Sequence, residues 1–424
     1  MTSEEKKEST QEFRLDVDSE LRFELESKSE KVYIILKSGV AEVFGTELVK
    51  GKTYEFTAGA KIAIFTWQGC LIELKGKTDV SYVAKETPMI LYCNCHAALE
   101  VMRSDAEKEN KKGPIAMVVG PCDVGKSTLC RLLLNYAVRV GRRPLYVDLD
   151  VGQCSISIPG TIGALLIERP ASLDEGFSQE APLVYNFGHK MPSANCTLFN
   201  MLYTQLASSV LEKIETHKKT KASGVIINTC GWIKGEGYKE LTQVARTFEV
   251  DIILVLDQER LYNELVRDMP AFVKVVYLPK SGGVVERSQT VRRENRDLKI
   301  REYFYGTPKN SVYPHSFDIK WAEVKIFKIG APALPDSCLP LGMKAEDHLT
   351  KVVNLAPNPG ILHHLMAVSY ATKEEEIILS HVAGFVCVTN IDMERQTLTF
   401  LSPQPKPLPN NLLVLSDLQF MDSH

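Results

Sequence analysis

The segment Gly120-Pro-Cys-Asp-Val-Gly125-Lys126-Ser127-Thr128 has residue types and spacing suited to phosphate chemistry. Gly120 and Gly125 let the backbone curl around phosphate oxygens, with amide hydrogens aimed inward at the positive end of a following helix. Lys126 then reaches the β and γ phosphates, and Ser127 supplies a hydroxyl for Mg²⁺. Thr128 is a second hydroxyl for the metal or the α phosphate. A glycine-rich turn of no function is the competing reading. The apolar run Ile115–Val119 before the loop and the helical pattern Ser127–Val138 after it argue against that.

Two aspartates follow in Tyr146-Val-Asp148-Leu-Asp150-Val-Gly-Gln153. Strand alternation puts both carboxylates on one side, but only Asp150 stands at the carboxyl end, where ligands of open α/β sheets bind. Asp150 is therefore placed to meet an acceptor hydroxyl or magnesium, and Asp148 reads as a strand-end or supporting group. Val225-Ile-Ile-Asn228-Thr229-Cys-Gly231-Trp232 has the apolar strand of a Walker B segment. It ends in Asn where an aspartate is expected, which leaves magnesium to other groups. Trp232 has two readings, a platform for a nucleobase or simple core. Farther on, Arg292 and Arg296 share a helix face at spacing four within a basic run. A solvated helix partnered by Glu286, Glu294 and Asp297 is one reading. A lid over about 281–303 is the other, its arginines neutralising a transferring γ-phosphoryl group while closure excludes water. The P-loop favours the lid.

These residues need a scaffold. The 424 residues suggest three domains, and 44% hydrophobic with 24% charged residues describes a globular chain. Short alternating segments from Phe13 to about Val83 indicate an N-terminal β-sandwich-like domain over 1–95. Continuous apolar strands alternating with helices over 96–305 indicate an α/β P-loop domain with a mainly parallel sheet. Residues 306–424 read as a small C-terminal α+β domain. The net charge of −3 disfavours a surface coated for nonspecific nucleic-acid binding, so a polyanion must meet a local patch, such as 287–301. The charged start MTSEEKKEST and the lack of long apolar runs give no expectation of a secretory leader or membrane contact. Cys93 and Cys95 before His96 lack the second half of a zinc site and read as structural. The guanine-reading Asn/Thr-Lys-x-Asp sequence of a GTPase switch does not occur.

Taken together, GPCDVGKST, DLDVGQCSISIPGT, NTCGW and LPKSGGVVERS with its following arginines resemble the eukaryotic Clp-type polynucleotide 5′-hydroxyl kinases over nearly the whole chain. GTELV and PDSCLPLG fit as well. The resemblance implies transfer of the ATP γ-phosphate to the 5′-hydroxyl of RNA, in tRNA splicing and mRNA 3′-end processing. It implies that Gly120 and Asp123, Val124, Gly125, Lys126, Ser127 and Thr128 hold ATP and Mg²⁺, with Ser127 on the metal. Glu20 and Lys61 would read adenine, and Lys126, Asp150, Arg292 and Arg296 would be catalytic. Gln153, Thr229 and Trp232 would contact RNA. The family further implies a nuclear location, a scaffold subunit of pre-mRNA cleavage factor II and the tRNA-splicing endonuclease as partners. The alternative is a catalytically silent, ATP-bound scaffold subunit.

Overall fold

The computed structural model describes residues 9–27, 29–307, 309–331 and 345–421. The PDSCLPLG segment, most of the loop expected from Gly330 to Pro340 and nearly all of the charged start lie outside the described residues. Near the N-terminus are strands β1 (Thr10–Leu15), β2 (Ser19–Glu24), β3 (Val32–Gly39), β4 (Glu42–Val43), β5 (Thr46–Glu47), β6 (Thr53–Phe56), β7 (Lys61–Thr66), β8 (Cys70–Lys75) and β9 (Val80–Ala84). They form two sheets, ordered β1-β8-β3-β6 and β5-β4-β7-β2-β9. Leu21, Phe23, Ile34, Ile64 and Ile72 close the space between them. Period-2 alternation is what buries one face of each sheet.

Helix α1 (Met89–Glu109) leads into β10 (Ile115–Val119), α2 (Lys126–Arg139), β11 (Leu145–Asp148), β12 (Thr161–Leu166), β13 (Leu183–Asn186), α3 (Cys196–Thr216), α4 (Lys218–Ser223), β14 (Val225–Asn228), α5 (Glu236–Thr247), β15 (Ile252–Leu256), α6 (Glu259–Asp268), β16 (Lys274–Leu278) and α7 (Gln289–Tyr305). The sheet order is β13-β12-β11-β14-β10-β15-β16. Five strands, β11, β14, β10, β15 and β16, run parallel; β12 pairs antiparallel with β11, and β13 pairs antiparallel with β12. Every residue of β10 is buried because both sheet faces are covered, which explains its unbroken apolar sequence. Arg139 ties α2 to the β-sandwich, its Nη1 donating to Glu42 Oε2 at 2.6 Å and to the Gly45 carbonyl at 3.2 Å.

The C-terminal part contains β17 (His315–Lys320), β18 (Lys325–Ile329), β19 (Val352–Asn354), β20 (His364–Ser369), β21 (Val382–Asp392), β22 (Thr397–Ser402) and β23 (Leu412–Gln419), in one seven-stranded sheet. Expected as α+β, this unit carries helix only as short 3-10 segments among its described residues. Helix α7 is one of its links to the centre, beside Ser416 Oγ, which donates to the Gly188 carbonyl at 3.0 Å. Phe304 stacks on Phe420 with ring centroids 5.6 Å apart, and the Tyr303 hydroxyl accepts from Phe385 N at 2.9 Å.

Candidate active site

The loop from β10 to α2 is shaped by backbone demands before any side chain acts. Gly125 caps α2 at φ 91°, a left-handed value that glycine adopts without a Cβ penalty. Asp123 holds φ 54°, which is unusual for a residue with a side chain. Lys126 is 7% exposed, and its ammonium donates to the Pro121 carbonyl at 2.7 Å. Burial pushes its pKa down, against the pull of the Asp150 carboxylate. Val124 is buried, and Ser127 and Thr128 are exposed.

Strand β11 ends at Asp148, two residues earlier than the sequence pattern suggests, so a turn and not strand alternation aims Asp150. Asp148 is fully buried and accepts five hydrogen bonds. Its Oδ1 takes Asp150 N at 3.1 Å and Asn228 Nδ2 at 3.0 Å. Its Oδ2 takes Ser155 N at 2.8 Å, Ser155 Oγ at 2.6 Å and the Tyr146 hydroxyl at 3.2 Å. A carboxylate satisfied to this degree holds a loop. Asp150 differs. Its Oδ1 accepts from Gly152 N at 3.1 Å and Gln153 N at 3.2 Å, leaving Oδ2 without a protein donor among the described residues. Burial and the neighbouring charge of Asp148 push its pKa up to about 6, which Lys126 and the two amides only partly counter.

Asn228 explains why an amide stands where a carboxylate was expected. In β14 it lies directly beside Asp148 of β11, and its Nδ2 also donates to Ser127 Oγ at 3.2 Å. A carboxylate there would face Asp148 across a buried pair and could not donate to either oxygen. Ser127 is thus held by a neutral donor that keeps its hydroxyl on the cleft. Among the described residues no group of three or more His, Cys, Asp or Glu could hold a metal ion. Ser127 and Asp150 line the same cleft.

A cleft of about 1720 Å³ joins these groups to three other regions. Glu20, Arg22 and Lys61 line it from the β-sandwich, Arg287, Arg292 and Arg296 from the lid segment, and Asp417 and Phe420 from the C-terminal end. Glu20 is 3% exposed. Its carboxylate receives Arg22 Nε at 2.5 Å and Thr87 Oγ1 at 3.2 Å, and it retains lone pairs for another donor. Lys61 Nζ lies 3.4 Å from Glu24. Arg292 and Arg296 both fall on α7, as their spacing predicts, and Ser288 caps that helix by accepting from Val291 N at 3.2 Å. Arg296 has no side-chain partner among the described residues, so it is free to meet an anion.

Four residues expected at the site are held as follows. Thr229 is 2% exposed and donates its hydroxyl to the Val118 carbonyl at 2.8 Å, so it ties β14 to β10 and does not face the cleft. Gln153 has both ends of its amide on the lid, donating to the Arg292 carbonyl at 3.4 Å and accepting from Arg287 Nη1 at 3.1 Å. Asp123 does not offer its side chain to phosphate, since that carboxylate is occupied by Arg287 and Arg292. Trp232 is partly buried and packs over Gly237, where an added Cβ would lie 2.6 Å from the indole Cγ. It stands outside the residues lining the cleft. Sequence reasoning missed Arg22, Arg287 and the strand end Asp417–Met421. Arg287 lay in the basic run, but only tertiary contact separates it from its neighbours.

Comparison with known proteins agrees with this geometry. Residues 120–306 match the family profile described as the P-loop of mRNA cleavage and polyadenylation factor CLP1. Residues 312–422 match the pre-mRNA cleavage complex II protein Clp1, and residues 14–106 match the N-terminal beta-sandwich domain of polyadenylation factor. The Protein CLP1 homolog of Anopheles gambiae is 62% identical over 413 residues, covering 97% of each chain. That of Culex quinquefasciatus is 60% identical over 422 residues, covering 99% of this chain and 100% of its own. The fold is shared with Clp1p in the wild-type Clp1p-Pcf11p complex, at a TM-score of 0.83 and 24% identity over 98% of this chain and 99% of that one. A second Clp1p structure, describing its extended interface with Pcf11p and ATP loss in a glycine-to-arginine mutant, superposes equally well, with a TM-score of 0.83. From the β-sandwich through the P-loop unit to the C-terminal sheet, this chain belongs to the Clp1 family.

Proposed function

We propose that the protein is an ATP-dependent RNA 5′-hydroxyl kinase. The observation that carries this reading is Asp150, a carboxylate raised to about 6 with one free oxygen, on the same cleft as Lys126 and the arginines of α7. A general base works best with a pKa near the working pH. In this reading ATP lies along the loop from Gly120 to Thr128, with its base toward Glu20 and Lys61. Ser127 would hold Mg²⁺ on the protein side, where the ion would supply neutralisation of phosphate charge. Lys126 leaves the Pro121 carbonyl for the phosphates. Asp150 takes the proton of the RNA 5′-hydroxyl as that oxygen bonds to the γ-phosphorus, and the bond to the β-phosphate oxygen breaks to release ADP. Arg292 and Arg296 stabilise charge on the phosphoryl oxygens during transfer.

The test is incubation with γ-labelled ATP and a 5′-hydroxyl oligoribonucleotide. Label should appear on the RNA end and vanish with Lys126→Ala and with Asp150→Asn. Labelling undiminished in either variant would sink the assignment. The family names motivate a nuclear role in mRNA 3′-end processing with a Pcf11-type scaffold partner, and we extend the reading to tRNA splicing beside the tRNA-splicing endonuclease. A second reading, an ATP-bound scaffold without turnover, is favoured by the cleft being lined from the β-sandwich, the P-loop unit and the C-terminal strand end at once. A nucleotide there would bridge all three. It predicts copurifying intact ATP, no transfer, and loss of partner binding when the nucleotide is removed.

A further inference from the structure

Asp123 and the lid share more contacts than a phosphate-binding loop needs. Its carboxylate, 5% exposed, accepts from Arg287 N at 3.0 Å, Arg287 Nε at 2.9 Å and Arg292 Nη2 at 2.5 Å. These bonds hold its pKa low even though burial pushes the other way. Arg287 also donates through Nη1 to Gln153 Oε1 at 3.1 Å, and its carbonyl accepts from Arg292 Nε at 3.2 Å. Gln153 in turn donates its backbone N–H to Asp150 Oδ1 at 3.2 Å. The P-loop, the turn carrying Asp150 and the start of α7 thus meet at one guanidinium.

The two arginines are held differently. Arg287 has its backbone N–H and two side-chain nitrogens committed to Asp123 and Gln153, so turning toward a phosphate would break several charge-assisted bonds together. Arg292 touches Asp123 through one nitrogen and lines the cleft. A phosphoryl oxygen can replace a single carboxylate contact, and it cannot readily replace a fork. The far end of α7 is anchored independently by Phe304 on Phe420 and by Tyr303, so only the N-terminal turn of the lid depends on this network.

We propose that Arg287 is a positioning residue, latching the lid to Asp123 and Gln153 so that Arg292 and Arg296 meet the transferring phosphoryl group. The proposal rests on the kinase reading for its catalytic consequence, and the latch itself is measurable without turnover. Amide hydrogen exchange over residues 284–293 reads the latch directly, because Arg287 N bonds to Asp123 Oδ2, Val284 N to Ser281 O and Arg292 N to Ser288 O. Single-turnover transfer reads its effect on the reaction.

Arg287→Ala should raise exchange in this segment about tenfold and lower the transfer rate at least tenfold, with the ATP KM changed less than about threefold, as expected for losing charged hydrogen bonds. Arg287→Lys keeps the charge without the planar fork and should fall between wild type and alanine in both readouts. Asp123→Asn and Gln153→Ala should shift exchange in the same direction. Unchanged exchange in Arg287→Ala would overturn the latch. A slower transfer without faster exchange would also overturn it, because Arg287 would then act on the phosphate itself. If the wild-type protein transfers no phosphate, the kinase reading fails while the exchange comparison still decides the latch.

Discussion

Replacing Asp150 by asparagine should remove phosphoryl transfer and stabilise the protein above neutral pH. Burial and Asp148 raise this carboxyl to about 6 in the folded chain, whereas an unfolded aspartate titrates near about 3.9. The folded state therefore keeps its proton to higher pH than the unfolded state. The group's contribution to stability falls as pH rises from about 4 to about 6, and the full penalty applies above that window. A difference of about two units corresponds to about 3 kcal/mol at pH 8 and about half of that at pH 5. Asparagine carries no charge, and its Oδ1 can still accept from Gly152 N and Gln153 N, so the turn survives. Local relaxation reduces the effect, and the expected gain is about 1 to 3 kcal/mol at pH 8, shrinking by about half at pH 5. Urea unfolding of both proteins at the two pH values, followed by tryptophan fluorescence, measures it. A variant no more stable than wild type at pH 8, or a gain that does not shrink at pH 5, refutes the reasoning about this carboxylate.

Three further outcomes are expected. Gly231→Ala should weaken nucleotide binding at least about tenfold without unfolding the chain, because its Cβ would lie 2.3 Å from Cys122 Sγ and 2.6 Å from Cys122 N in the P-loop. Calorimetric titration with ATP and a circular dichroism spectrum check both halves. Arg139→Gln strips Glu42, whose side chain is 4% exposed, of its cation and should destabilise by about 2 kcal/mol. Thermal unfolding reports the loss, and amide exchange at Gly45–Glu47 should rise with it. Thr229→Val removes a buried hydroxyl that bonds the Val118 carbonyl and should lower stability by about 1 kcal/mol while leaving RNA affinity unchanged. Weaker RNA binding at unchanged stability would return Thr229 to the RNA site.

Local pattern made much of this legible. The P-loop, the parallel strands around it and the helix bearing Arg292 and Arg296 all announce themselves through spacing within a few residues. Side-chain partners were not legible, for identifiable reasons. Gln153 and Thr229 sit in motifs next to the cleft, yet their polar groups are bound by partners 139 and 111 residues away. Asp123 reads as a phosphate-loop residue, and nothing in its neighbourhood reveals that its side chain is taken by the lid arginines.

The chain's one-dimensional order determines that a phosphate-binding turn exists, that an acid follows on the next strand and that arginines arrive from a later helix. Those are properties of backbone conformation and helical or strand period, and they are set within a dozen residues. The sequence favours Asp150 by its place at the carboxyl end, and the tertiary structure supplies the physical difference between the two acids. Asp148 and Asp150 are the same residue type two positions apart, but one meets Asn228, Ser155 and Tyr146 in the interior while the other keeps an oxygen for the cleft. It likewise decides that Asn228 stands between Asp148 and Ser127, and that Arg287 is bound where Arg296 is free. Hydrogen-bond satisfaction and desolvation depend on neighbours distant in sequence, and these neighbours separate a carboxylate satisfied in the interior from one with an open oxygen on the cleft.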